Sequence, residues 1–340
     1  MTAANTLEHA LPFFIHHQEI SNVHLEAAEQ LLGSEKPFTI FSLWDCSLAD
    51  EKAGRLFQSI LSCPSIVAIY LRDVPLGEGA SAALAEVVGS THLHSLHLEF
   101  CSLDPEKTKI LAEAIKAHHA MVGRREEAEA DADDSPIHVT KVRDMELREL
   151  NLSNNPIGDA GAEALAGALV GTQLSSIKLD DCDLGGAGVL SICQQIMKDP
   201  TQSKHLQALS LNHNKQIDAA GMSGIAALMR ACPNLRLLSL VNCNITDTML
   251  RMLKQPLKDH PSEIKIDLGA NPITEAAFPA LNEAISGAQR LRLVVVDHPR
   301  DDTKRLAIQA MLGTMATLVP FDKPTEPFPG LICEETESQN

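Results

Sequence analysis

Between positions 147 and 169 the chain reads LRELNLSNNPIGDAGAEALAGAL, and the period of its apolar residues changes midway. Leu150 and Leu152 alternate with Asn151 and Ser153, the spacing of a strand with one buried face. After the turn-rich NNPIGD, Ala162, Leu165, Ala166 and Leu169 recur at i, i+3, i+4 and i+7, one face of a helix. A strand, a turn and a short helix within about 28 residues cannot bury both apolar faces alone, so the unit requires neighbours of its own kind.

The template L-x-x-L-x-L-x-x-(N/C)-x-(L/I), anchored on Asn155, recurs along the chain. Anchors fall upstream at Gln18, Cys46, Val74 and Cys101, and downstream at Cys182, Asn214, Cys243 and Asn271. A degenerate copy, LRLVVVDHP, starts at Leu291. The anchor spacings are 28, 28, 27, 54, 27, 32, 29 and 28 residues. Both core positions before every anchor, from Phe13 and Ile15 to Ile266 and Leu268, hold Leu, Ile or Phe. The helical half repeats as well, with Ala53, Leu56, Phe57 and Ile60 in one unit and Ser81, Leu84, Ala85 and Val88 in the next. The pattern predicts an α/β solenoid, a horseshoe of about nine to ten repeats, with a parallel concave sheet and convex helices.

Each strand must turn inward at its anchor. An Asn there can donate and accept, satisfying backbone groups that water does not reach, while Cys is a small and mostly apolar substitute. Successive Cys anchors lie two strands apart, about 9.5 Å, which exceeds the roughly 7 Å Cα separation a disulfide allows. The alternation of Cys and Asn anchors, with IGDAGAEALAGAL after Asn155, resembles the ribonuclease-inhibitor-like subfamily of leucine-rich-repeat proteins over roughly residues 10 to 300. Val74 departs from the alternation. The resemblance implies the fold; inhibitors, immune-receptor sensor domains and the Ran GTPase-activating protein share these repeats.

Composition then sets limits. The 340-residue chain carries a formal net charge of −17, which argues against nucleic acid or an anionic membrane as its partner. No apolar run reaches membrane-spanning length, and eight cysteines without metal-binding spacing suit a reducing cytoplasm. The solenoid is expected over residues 1–319. The 54-residue gap holds one repeat plus an acidic insertion at about 120–145, which includes GRREEAEADADDSP and is expected to be disordered or loosely helical. Residues 320–340, rich in proline, are expected to form an unpacked tail whose Cys333 is the reactive thiol.

The inner wall should display the residues four, two and one before each anchor. In the N-terminal half these include Phe14, His16, Trp44, Asp45, Tyr70, Arg72, Asp73, His97, Glu99 and Phe100, and they contain the only Trp and only Tyr of the chain. Phe14, Trp44, Tyr70 and Phe100 are expected to form a continuous aromatic stripe among carboxylates. Two readings stand: solvated strand-face residues, or a docking patch for a protein with basic and apolar surface, in which rings supply affinity and carboxylates orient the encounter. His16, His17 and His97 occupy different columns, so no metal or cofactor site is expected. GEGAS at Gly77 reads as the turn into a helix. The chain is thus expected to be a non-enzymatic scaffold or inhibitor. A GTPase activator resembling the Ran protein's is the alternative, with Arg72 as the inner-wall arginine but without that family's Phe-Thr-Gly-Arg run. An effector that binds host proteins is a third.

Overall fold

The computed structural model describes residues 11–34, 36–130, 146–277, 279, 283, 291–297 and 316–319. Its strands form one sheet of eleven in chain order, and every pair is parallel. They are β1 (Leu11–Glu19), β2 (Phe38–Ser47), β3 (Ala68–Arg72), β4 (Ser95–Glu99), β5 (Glu149–Asn151), β6 (Ser176–Lys178), β7 (Ala208–Ser210), β8 (Leu237–Ser239), β9 (Ile264–Asp267), β10 (Leu291–Asp297) and β11 (Ala316–Val319). The degenerate copy at Leu291 is β10; β11 has no counterpart in the sequence reading. The main helices are α1 (Asn22–Leu32), α2 (Asp50–Leu61), α3 (Glu78–Ser90), α4 (Pro105–Ala130), α5 (Gly158–Ala168), α6 (Gly186–Lys198), α7 (Pro200–His205), α8 (Ala219–Ala231), α9 (Asp247–Leu250) and α10 (Lys254–Asp259). The 32-residue spacing before Asn214 is accounted for by α7, an added short helix capped by Asp199.

Both core positions before each anchor are buried in all nine coils from Phe13 to Leu268, as are Ala53, Leu56, Phe57 and Ile60 on the facing helix. The leucine spine between sheet and helices is therefore continuous, and its burial is the main stabilising term. Helix α4 is 26 residues long against 11–13 in the neighbouring coils, and it carries the charged run as helix up to Ala130. Residues 131–145 and the tail 320–340, with Cys333, lie outside the described residues.

Burial within the coils anchored from Cys46 to Cys243 skips from two residues to three at one point: the positions five and three before the anchor are inside, then the anchor itself. The odd residue just before the anchor is left-handed in all nine coils: His17, Asp45, Asp73, Phe100, Asn154, Asp181, His213, Asn242 and Ala270 have φ between 49° and 62°. That conformation is uncommon without glycine and favours Asn, Asp and His, which fill seven of the nine places. It changes the phase of the chain so that the anchor turns into the core.

The anchors then bind neighbouring coils together. Asn214 Oδ1 accepts the N–H groups of Cys182 (3.1 Å) and Leu184 (2.9 Å), while its Nδ2 donates to the carbonyls of Leu179, Leu211 and Asn212 (2.7, 2.8 and 3.2 Å). Asn155 and Asn271 repeat the arrangement on the coils of Cys101 and Cys243. The Cys anchors reach back by one thiol contact each, Cys182 Sγ to Leu152 O at 3.2 Å and Cys243 Sγ to Leu211 O at 3.0 Å. Helix starts are tied across coils too. Asp50 accepts from the N–H groups of Gly79 and Ala80 at the head of α3 (3.2 and 3.1 Å), and Asp159 from Gly185 and Gly188 at the head of α6 (2.7 and 2.9 Å).

All seven cysteines among the described residues are free thiols and buried. Burial pushes the Cys232 thiol up to about 12 and that of Cys193 higher still. At pH 8 the Cys232 thiolate population is then on the order of a thousandfold below that of an exposed cysteine. Iodoacetamide should accordingly label Cys232 only after unfolding, as read by mass spectrometry of its peptide; rapid labelling of the native protein would contradict this burial.

Candidate functional site

Parallel register sorts the inner wall into rows. One row runs Phe14, Ser42, Tyr70, His97, Asn151, Lys178, Ser210, Ser239 and Asp267, each the partner of the next. The next begins His16, Trp44, Arg72, Glu99. Asp45, Asp73 and Phe100 stand in the left-handed row beyond it. All ten residues singled out from the sequence thus fall in coils one to four, on one face. The rings divide into two groups, however, because Trp44 and Tyr70 occupy different rows on adjacent strands.

The first group surrounds Phe14, which is 45% exposed. Its ring meets Trp44 edge-to-face, with centroids 5.4 Å apart at 86°, and stacks on His16 at 4.9 Å. His16 touches His17, and His17 Nδ1 lies 2.8 Å from Asp45 Oδ2. In the second group Tyr70 packs on His97 at 4.6 Å. His97 Nε2 is 3.5 Å from Glu149 Oε2, which also accepts the Ser95 hydroxyl at 3.1 Å. Burial raises the affinity of Glu149 for a proton, but the contacts from His97 and Ser95 outweigh it and hold the carboxyl below its usual range. Trp44 and Tyr70 are half-buried, whereas Phe100 and Arg72 are exposed; Arg72 lies 3.7 Å from Asp73. Glu149 escaped the sequence reading because it lies six residues before its anchor, outside the positions assigned to the face.

The C-terminal half of the wall is occupied with itself. Ser153 Oγ accepts the N–H of Asp180 (3.2 Å), Asp180 Oδ1 that of Asn212 (2.8 Å), and Asn212 Oδ1 that of Val241 (2.8 Å). The hydroxyls of Ser210 and Ser239 donate to the same two acceptors at 2.5 and 2.8 Å. Burial pushes the Asp180 carboxyl up, against these hydrogen bonds. A ladder whose capacity is spent on neighbouring coils has less to offer a partner. Glu99 is held into this system by the Asn151 amide. Among the described residues no group of three or more His, Cys, Asp or Glu side chains has the geometry to hold a metal ion, and no helix is long and apolar enough to cross a membrane.

The sequence model of a family described as "Leucine Rich repeat" matches residues 145–166 and 202–226. The ribonuclease inhibitor of Sus scrofa is 27% identical over 248 residues, covering 72% of this chain and 48% of that protein. The ribonuclease inhibitor of Mus musculus is 27% identical over 255 residues with the same coverage. The chain thus spans about half the length of these curated relatives. Among solved structures, the crystal structure of the yeast Rad7 and Elc1 complex aligns with a TM-score of 0.47 and 15% identity, over 86% of this chain and 70% of that one.

Proposed function

We propose that this chain, a leucine-rich-repeat protein of the ribonuclease-inhibitor-like subfamily, is a non-enzymatic protein-binding module that grips its partner with the N-terminal part of its inner wall. One contrast carries the reading: in the first coils the inner wall presents aromatic rings, with Phe14 and Phe100 exposed beside the exposed Asp45 and Asp73, whereas further along it is a ladder of Ser, Asn and Asp side chains bonded from coil to coil. Aromatic residues supply contact area at low entropic cost and dominate interface energetics. Asp45, Asp73 and Glu99 give that end a negative bias, which favours a partner with basic and apolar surface and acts chiefly on the rate of encounter. The buried thiols suit a reducing compartment, so the cytoplasm is the setting we infer.

The test is comparative capture from cytosol, followed by mass spectrometry. Trp44→Ala combined with Tyr70→Ala should keep the far-UV dichroism and a cooperative melt, because both side chains lie on the wall and outside the leucine spine. It should lose the proteins that the wild type retains, while Lys178→Ala in the C-terminal half retains them. Equal capture by the double variant would move the site elsewhere.

A further inference from the structure

Each helix of the array turns one flank toward the helix of the coil before it, through the positions five, nine and thirteen residues after the anchor. A Cβ on Gly79, the fifth residue after its anchor, would lie 3.3 Å from the Asp50 Cβ of α2. One on Gly89 of α3 would lie 3.6 Å from the carbonyl oxygen of Ala114, a thirteenth residue on α4. The ninth falls between them on the same face. In the coil anchored at Gln18 these positions are Val23, Ala27 and Leu31 of α1. Ser59, Val87, Ala114 and Ala168, the counterparts of Leu31 in the next four coils, are all buried, whereas Leu31 is 39% and Val23 71% exposed. Strand β1 is likewise paired on one side only among the described residues, with β2. The end of the described sheet thus displays the surface through which the later coils stack, although stable arrays finish on a polar cap.

We propose that this end is an interface for a second copy of the chain, joined across a two-fold axis that sets β1 antiparallel to β1 and α1 antiparallel to α1. An axis perpendicular to the sheet keeps both helices on one side, so the sheet and the helix layer continue together, which a lone strand or helix would not achieve. The stripe is also self-complementary about its middle. With Ala27 at the axis, Val23 of one copy faces Leu31 of the other, and the small central residue lets the helices approach. Four of the eight large apolar side chains exposed among the described residues, Leu11, Phe14, Val23 and Leu31, belong to this coil, so no other coil competes with it as an apolar seat. Pro12 deprives the edge of one donor, which leaves Phe13 to Glu19 for pairing. Such a contact closes at two copies, whereas β1 meeting the β11 edge of another copy would propagate.

Sedimentation equilibrium of the full chain measures the assembly directly. At about 50 µM protein and roughly 0.3 M salt, which screens the repulsion between two copies of charge −17, the mass should be twice 36.7 kDa. Val23→Glu combined with Leu31→Glu sets four carboxylates against one another and should return the mass to that of one copy. Val170→Glu, at an exposed valine of the fifth coil, should leave the dimer intact. Val23, Leu31 and Val170 lie outside the leucine spine, so native far-UV dichroism is expected of each variant. A wild-type mass of one copy, a dimer that survives the double substitution, or a mass that climbs past two copies with concentration would each overturn the proposal.

Discussion

Asn214→Val will destabilise the array by about 4 kcal/mol, because it strips partners from two N–H groups and three carbonyls in a buried turn, each costing about 1–3 kcal/mol when unsatisfied and partly recovered by relaxation. Valine is one heavy atom smaller and branches at Cβ, so packing changes too, but the loss of hydrogen bonds is the larger effect. Asn234→Ala, which removes an exposed amide with one bond to Lys204 O, should stay within about 1 kcal/mol of the wild type. Urea midpoints of the two variants separate these outcomes. A midpoint for Asn214→Val equal to that of the control would mean that the anchor amide contributes little. The natural Val74 does not contradict this expectation. It stands where the alternation calls for Asn, and its fully buried side chain puts packing in the spine in place of the amide bonds.

The second large effect is expected on the convex side. Helices α6 and α8 approach through glycine: a Cβ on Gly221 would lie 3.0 Å from the Gly186 Cα and 3.2 Å from Ile217 Cγ2. The nearest obstacle is backbone and cannot rotate away. Gly221→Val should therefore cost about 2–3 kcal/mol as the helices are wedged apart. Gly167→Ala, whose new methyl would meet only the flexible end of Lys116 at 3.9 Å, should be neutral or slightly stabilising. Thermal melts of the pair test this; a Gly221→Val protein that melts like the Gly167→Ala protein would show that the helices have room to shift.

The repeat itself was legible because its signals are local. Apolar pairs such as Phe41 and Leu43, and helical sets such as Ala53, Leu56, Phe57 and Ile60, are determined by spacing within one coil. Three other features were not, for physical reasons. Asp50 and Asp159 cap helices 29 and 26 residues away, a relation between coils that no short window contains. The left-handed residue before each anchor is never glycine, so Phe100 and Ala270 give no hint of a turn. For the site, the rows were readable, and all ten candidate residues share the N-terminal face. What spacing alone left out was how neighbouring side chains lean: Phe14 onto Trp44, Tyr70 onto His97, with Ser42 covered between them.

The anchor bonds also define what counts as one building block. Counting the anchor side chains alone, three amide bonds join the Asn214 coil to the Cys182 coil before it, whereas one thiol contact joins that Cys coil to the coil of Asn155. The number of anchor bonds therefore alternates from seam to seam between Cys101 and Asn271. From Cys101 to Asn271 the anchors therefore group the coils in pairs, and removing one coil of a pair would leave a Cys coil without the amide that its turn N–H groups donate to.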